Sequence, residues 1–340
     1  MKARDLAGVF APVVTTFSKA KGDLDLAAFR RNLQAHLAAG VDGVVVCGST
    51  GEAALLTDDE RLEVLEAARR EVPMAKRLLM GVGAESTRLT VHRAREAQTV
   101  GADAVLVVAP HYYSAAMSHE ALRAHYRRVA DESPLPVMLY NIPKYMHFKL
   151  SPELVAELAQ HANIIGIKDS SGDLELLGGY LKAQSESFTV FTGAGGQLHP
   201  ALVAGARGGI LAVALFATAA SVQVYEAHKR GDHTAADAVQ ATLKPLAAVI
   251  VAELGVPGVK GARCGRPRRW SRPESAARSG RGGPLARVGV AQRGRRRRGI
   301  ARRRRSRLAG ATSFACRSTC PSRHRRSQSS PRTCRYSRHP

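Results

Sequence analysis

Residues 1–231 are predicted to form a (β/α)8 barrel. Short runs of consecutive apolar residues alternate with longer amphipathic segments, eight such pairs follow one another, and no G-x-G-x-x-G follows the first run. Strands apolar on successive positions, rather than on every second one, are buried on both faces, as in a parallel sheet covered by helices. Eight strand–helix units suffice to close that sheet into a TIM-type barrel. A doubly wound open sheet also alternates strand and helix, but its dinucleotide-binding form carries phosphate-binding glycines after the first strand.

Strands are expected at 10–17, 43–47, 78–82, 104–108, 137–140, 164–168, 189–192 and 209–213. The first helix, 25–39, places Leu26, Phe29, Leu33 and Leu37 three and four residues apart, which is one buried helix face. The second, 58–70, carries Leu62, Leu65 and Ala68 and is preceded by Thr57, a side chain suited to an N-cap. Helices follow at 87–100, 118–131, 151–160, 174–183, 198–204 and 218–229. Ser151-Pro152-Glu153 puts proline at a first helical position, where its missing N–H costs nothing. A further helix at 233–254 comes after the eighth unit, so 232–261 begins a C-terminal helical region.

Charge divides the chain into two chemically different parts. Residues 1–261 hold 26 basic and 27 acidic side chains, whereas 262–340 hold 25 arginines, no lysine and one acid, Glu274. The first part has the balance of a cytoplasmic enzyme. Its only cysteine, Cys47, excludes a disulfide framework, and the opening Met1-Lys2-Ala3-Arg4-Asp5-Leu6 lacks a signal peptide's apolar run. No 18 consecutive residues are apolar, so no membrane span is expected.

The tail, with Arg295–Arg298 and Arg302–Arg305 among Gly, Ala, Pro and Ser, has the composition that a G+C-rich gene yields when read in a shifted frame, and we read it so from near Gly261. The functional alternative is a disordered basic arm that binds nucleic acid non-specifically through phosphate. Cys316, Cys320, His324 and Cys334 lack a recognised zinc spacing. If this segment stands where further helices should close the chain, apolar faces of 198–204 and 218–254 should lie open, with poor solubility and weakened assembly.

In a barrel the reactive groups gather at the carboxyl ends of the strands. Those positions hold Gly48-Ser49-Thr50-Gly51-Glu52, Pro110-His111-Tyr112-Tyr113, Tyr140-Asn141-Ile142-Pro143, Lys168-Asp169-Ser170 and Gly193-Ala194-Gly195-Gly196. Lys168 ends an apolar run, and desolvation there disfavours the charged ammonium. A neutral amine attacks a ketone, and the iminium that results is an electron sink. Tyr140 ends the adjacent strand and can carry protons to and from a carbinolamine. Ser49-Thr50-Gly51 offers hydroxyls and backbone N–H groups, close to the helix that starts near Asp58, to a carboxylate. Taken singly, each has a plainer explanation: a lysine reaching water, a core tyrosine, a glycine-bearing turn.

Together the three fragments around Ser49, Tyr140 and Lys168 resemble, in order and spacing, the dihydrodipicolinate synthase / N-acetylneuraminate lyase family, over about residues 5–261. The resemblance implies that Lys168 forms the Schiff base and that Tyr140 shuttles protons. It implies that Ser49 joins a hydroxyl relay with Tyr140 and Tyr112, the last usually borrowed from a partner subunit. Thr50 would hold the 2-oxo acid carboxylate, and Gly193 and Ile210 would line the pyruvate pocket; Gly51 and Ser170 complete the expected substrate-binding set. A homodimer or homotetramer acting on a small 2-oxo acid, with no cofactor and no metal, follows from the same resemblance. His36, His92, His125, His161 and His199 are read as surface or packing residues, not ligands.

Within the family, the synthase follows Tyr-Asn-x-Pro with a small residue and an arginine for the aldehyde substrate's carboxylate; here Lys144 and Tyr145 stand there. Tyr112-Tyr113, Met117-Ser118, Val129-Ala130-Asp131, Ser133-Pro134, Leu139-Tyr140, and Leu55-Leu56-Thr57 with Glu60-Arg61 look more like 4-hydroxy-2-oxoglutarate aldolases. The expectation is therefore cleavage of 4-hydroxy-2-oxoglutarate to pyruvate and glyoxylate. The alternative is 4-hydroxy-tetrahydrodipicolinate synthase, condensing pyruvate with aspartate semialdehyde, with Lys144 or Arg88 replacing the arginine.

Overall fold

A computed structural model describes residues 3–18 and 22–264. The arginine-rich segment, with the nucleic-acid and zinc readings placed on it, lies almost wholly outside them. The apolar runs form eight parallel strands, β1 (Gly8–Pro12), β2 (Gly43–Val46), β3 (Arg77–Gly81), β4 (Ala104–Val108), β5 (Val137–Asn141), β6 (Ile164–Asp169), β7 (Thr189–Thr192) and β8 (Gly208–Ile210), hydrogen-bonded in chain order into a closed barrel. All but the first residue of β3 and the last of β4 are buried, as expected for a sheet covered on both faces. Closure between β8 and β1 depends on a glycine: a Cβ on Gly208 would stand 2.0 Å from the Gly8 carbonyl oxygen.

The first and last strands are shorter than their apolar runs. After Pro12 one more ladder bond forms, from Val13 N to Val45 O (2.9 Å), and the chain then leaves the sheet as Thr15 Oγ1 bonds Gly51 O (2.6 Å) and Thr16 Oγ1 bonds Asp25 O (2.7 Å). Beyond Ile210 the chain tightens into a 3-10 turn, Ala212–Leu215.

Helices α1 (Leu26–Ala38), α2 (Asp58–Glu71), α3 (Thr87–Val100), α4 (His119–Glu132), α6 (Pro152–Leu158), α7 (Leu174–Leu181), α8 (Leu198–Val203) and α9 (Thr218–Lys229) ring the barrel, and a one-turn helix, α5 (Pro143–Met146), follows β5. Thr57 caps α2 in a full capping box with Glu60, and Ser151 caps α6 with Pro152 in its first turn.

After α9 the chain turns back as α10 (His233–Leu246), continues as a π-helical stretch (Ala247–Glu253) and ends in α11 (Gly255–Cys264). The expectation of open apolar faces is half right. In α8, Leu198, Ala201 and Leu202 are buried under neighbouring helices, and only Val203 stands out. The run His233–Glu253 is open on its outer side, where Val249 is exposed and only 17% of its most apolar window is buried, but Ala236 and Leu243 are buried and Val239, Leu246, Ala247, Ile250 and Val251 pack against the core. At 21 residues and a mean hydropathy of 1.3 it is long and apolar enough to cross a membrane, by length and composition alone. A search for uninterrupted apolar runs misses it because polar residues punctuate it.

Candidate functional site

The site is assembled by a register shift between β5 and β6. Val137 pairs with Ile164, but Met138 pairs with Gly166, so Ile165 is an extra residue and every later pair is offset by one. The bulge sets Tyr140 directly opposite Lys168; an unbroken ladder would oppose it to Ile167, whose side chain points to the other face. Sharing one register and one face, the Lys168 Nζ lies over the Tyr140 ring, 4.2 Å from its centroid, and both residues are buried.

One step along, Asn141 and Asp169 pair and face away from the barrel interior. Asn141 Nδ2 donates to Asp169 Oδ1 (2.7 Å), Asn141 Oδ1 accepts from Leu150 N (3.0 Å), and Asp169 also accepts from Ser171 N (3.1 Å) and Ser171 Oγ (2.7 Å). Burial raises the Asp169 carboxyl above the usual range, and these donors pull it back down. The network fixes the strand ends that carry Tyr140 and Lys168, and Gly193 N closes it from β7 by donating to Asp169 O (2.6 Å).

The loop after β2 supplies Ser49 and Thr50. It starts at Cys47, a non-glycine residue at φ +52, a conformation that persists only where the surroundings enforce it. Buried Arg61 enforces it by donating to Gly81 O (3.1 Å) and Ala53 O (2.7 Å), while Thr15 holds Gly51 O. Helix α2 begins too late to serve as a cradle, and its Thr57 cap takes up the N–H of Glu60. A carboxylate here meets the loop's own groups rather than a helix terminus.

These elements line a cavity of about 610 Å³ at the carboxyl ends of the strands. Its wall includes Ser49, Thr50, Tyr140, Lys168, Ser170, Gly193 and Ile210. Gly193 is glycine for space: a Cβ there would stand 1.9 Å from Ser170 Oγ and 3.0 Å from Lys168 Cε. Gly51 is not part of the wall; it is a buried turn residue behind Ser49 and Thr50. Tyr112 is absent too. It is 76% exposed beside Tyr113, on a segment whose His111 and Tyr112 N–H groups are held by Glu85 Oε2 (2.9 Å each). The hydroxyl relay through Tyr112 is therefore not assembled within one chain.

The sequence reading missed the outer half of the cavity. Lys244, Ala247, Ala248, Val251 and Ala252, with Val256 and Val259 of α11, cover the mouth. Lys144 Nζ donates to Ala252 O (3.0 Å), and Lys260 ion-pairs with Glu52 while lying over the Phe17 ring (4.7 Å), tying this cover to the loops after β5, β2 and β1. No local motif marks such residues, because helical positions reach the site only through chain reversal after α9. Tyr145 also lines the cavity, its phenol pushed above its ordinary range by burial and then by Tyr140. Arg88 does not; it lies in a separate hollow with Thr87, Val91, His92, Arg95, Arg128 and Glu132, so of the two residues expected to replace the arginine only Lys144 is in place.

Among the described residues the cavity wall holds amines, hydroxyls and two phenols but no His, Cys, Asp or Glu. That inventory suits nucleophilic amine chemistry with proton transfer by hydroxyls.

Comparison with known proteins agrees with this inventory. Residues 5–264 match the dihydrodipicolinate synthetase family. The 4-hydroxy-tetrahydrodipicolinate synthase of Xanthomonas axonopodis pv. citri is 40% identical over 238 residues, 70% of this chain and 78% of the relative. That of Methanospirillum hungatei is 36% identical over 241 residues, covering 70% and 82%. Among solved structures, YagE, a prophage protein of the dihydrodipicolinic acid synthase family from E. coli K12 in complex with pyruvate, superposes with a TM-score of 0.73 at 33% identity, over 77% of this chain and 89% of that one. A chloride-inhibited dihydrodipicolinate synthase from Acinetobacter baumannii with pyruvate gives 0.71 at 29% identity, over 75% and 87%. The chain thus belongs to the dihydrodipicolinate synthetase family and is an enzyme that makes or breaks a carbon–carbon bond of a 2-oxo acid.

Proposed function

We propose that Lys168 condenses with pyruvate and that the resulting enamine joins an aldehyde that carries a carboxylate of its own, giving 4-hydroxy-tetrahydrodipicolinate when that aldehyde is aspartate semialdehyde. The observation that carries the reading is Lys168 Nζ above the Tyr140 ring in a largely apolar, enclosed barrel mouth. The neutral amine attacks the pyruvate C2 carbonyl, the carbinolamine loses water, and the iminium acidifies the methyl carbon. Loss of that proton gives the enamine, whose carbon attacks the aldehyde. Tyr140 delivers a proton to the new alkoxide, and the semialdehyde's own amino group then attacks the imine carbon and displaces Lys168, closing the ring; where the aldehyde carries no amine, water hydrolyses the imine instead. Ser49 and Thr50 hold the pyruvate carboxylate, Gly193 and Ile210 leave room for its methyl group, and Ser170 sits beside the lysine.

The relatives' names favour the condensation. The ammonium groups of Lys144 and Lys244 supply charge for the second carboxylate. One observation favours a second reading, the reverse-direction cleavage of 4-hydroxy-2-oxoglutarate to pyruvate and glyoxylate: a neutral phenol, Tyr145, lines the cavity where the resemblance implies an arginine. Tyr112 would complete the hydroxyl relay from a second copy of the chain, and a homo-oligomer is part of the proposal. Pyruvate trapped with borohydride should leave its adduct on the peptide containing Lys168; an unmodified Lys168 in a folded protein refutes the chemistry. Parallel assays of semialdehyde condensation and 4-hydroxy-2-oxoglutarate cleavage decide between the two readings, by whichever has the larger kcat/KM.

A further inference from the structure

We propose that His199, His228 and His233 form a binding site for one divalent transition-metal ion, zinc or another imidazole-seeking ion, that clamps α8, α9 and α10 together. The cluster lies in the helical layer, apart from the cavity wall. Helix α9 ends in His228-Lys229 and α10 opens with His233; the link turns at Gly231, whose φ is +77, and Asp232 caps α10 through Ala235 N (3.0 Å). On α8, His199 donates its backbone N–H to Gln240 Oε1 of α10 (2.9 Å). Three imidazoles from three helices therefore meet, with ring centroids 5.4, 5.5 and 5.7 Å apart, and one nitrogen from each lies within 4.8 Å of the others.

Two details point to a ligand rather than to packing. His199 is buried and its Nδ1 lies 2.6 Å from Asp237 Oδ1. A carboxylate accepts the Nδ1 proton, which leaves Nε2 with a lone pair turned into the cluster, 3.2 Å from His233 Nδ1. This carboxylate–histidine arrangement is the one that orients imidazoles on metals. In addition, His228 Nδ1 is buried with no hydrogen-bond partner, and a buried nitrogen left so is costly.

Tetrahedral zinc–imidazole sites with bonds of about 2.0–2.1 Å set neighbouring nitrogens roughly 3.3 Å apart. His199 Nε2 and His233 Nδ1 already stand 3.2 Å apart, and the third nitrogen, from His228, lies within 4.8 Å of both. Three imidazoles with a water in the fourth position suit zinc, cobalt, nickel or copper rather than magnesium or calcium.

The test is a cobalt(II) titration of the full chain after its thiols that react with iodoacetamide in the folded protein are blocked. Cys47 is buried, its thiol pushed up to about 12 by burial, and takes no part. The expected result is one ion per chain, with the visible absorption of a tetrahedral nitrogen site, displaced by zinc(II), and a rise in Tm on zinc addition. The double variant H228Q/H233Q should lose at least about 100-fold in affinity together with the Tm rise. D237N, which leaves all three imidazoles, should weaken binding by about 10- to 100-fold. Both variants alter partly or largely exposed positions, and pyruvate trapping on Lys168 reports that they fold. Absence of stoichiometric binding by the full chain, or equal binding by the folded double variant, overturns the proposal.

Discussion

Replacing Gly193 with alanine tests whether space beside Lys168 is what the site requires. The added carbon would stand 1.9 Å from Ser170 Oγ, 3.0 Å from Ser170 Cβ and 3.0 Å from Lys168 Cε. Rotation of the serine hydroxyl relieves the first contact but neither of the others. The backbone cannot retreat easily, because Gly193 N is bonded to Asp169 O at 2.6 Å. Overpacking of this kind costs about 1–3 kcal/mol, which for a barrel of this size is a fall in Tm of roughly 2–10 °C. The lysine has to give by a few tenths of an ångström, and since a misplacement of about 1 Å costs on the order of 100-fold in rate, a loss of up to about tenfold is expected. G178A is the control, since Gly178 lies in α7 with nothing within 4 Å of an added Cβ, and there alanine should be neutral or stabilising by up to about 1 kcal/mol. The assay is the rate of borohydride-trapped pyruvate adduct on Lys168 alongside a melting curve. A G193A protein that traps pyruvate at the unmodified rate refutes the view that this glycine clears the lysine's path.

Tyr140→Phe should lower turnover by about 100- to 10,000-fold while leaving Tm nearly unchanged, because only the hydroxyl is removed; a loss under tenfold in steady-state assays would remove Tyr140 as the proton carrier. Asn141→Ala takes one donor from a buried carboxylate and the acceptor from Leu150 N, and urea unfolding should register a loss of about 3 kcal/mol; an unchanged midpoint would show that water substitutes for the amide. Burial pushes His125 down to about 4 from its ordinary 6.5. The unfolded chain therefore binds the extra proton first, so His125's contribution is full above pH 6.5 and is lost as pH falls towards 4, about 3 kcal/mol in total. His125→Phe should flatten the stability profile in that window, and an equal slope in the variant would locate the acid sensitivity elsewhere.

Strand count, strand order and the positions of Lys168, Tyr140, Ser49, Thr50, Ser170 and Gly193 around the mouth were legible in the sequence, since each depends on local apolar runs and on residues next to them, whereas Ile210 was placed there by the family resemblance alone. What joins Tyr140 to Lys168 was not legible. Both end apolar runs, but only the extra residue at Ile165 puts them in register, and a bulge inside a uniformly apolar strand leaves no mark in composition. Asn141 and Asp169 were quoted within motifs yet their bond across two strands needs the same register. The His199 cluster was hidden for the opposite reason: its members lie 29 and 5 residues apart and meet only because α10 folds back along α9. Gly51 was misplaced by reading its place beside Ser49 and Thr50 as exposure to the cavity, and Arg88 lies in a separate hollow.

The cavity has two walls of different origin. The inner wall, with its lysine, phenol and hydroxyls, stands on strand ends fixed by the Asn141–Asp169 network and by Arg61. The outer wall is helical, from Lys244 to Val259, and is tied down by a lysine on each side of the interface: Lys144 to Ala252 O, and Lys260 to Glu52. Under the proposed chemistry imine formation needs only the inner wall, and the second substrate's far end would meet Lys244 of the outer wall together with Lys144 and Tyr145 of α5. Changes in the helical cover, including anything that loosens the Lys260–Glu52 tie, are thus expected to move KM for the aldehyde and leave the pyruvate adduct on Lys168 intact. Loss of both together on breaking that tie with Lys260→Met would mean that the two walls act as one.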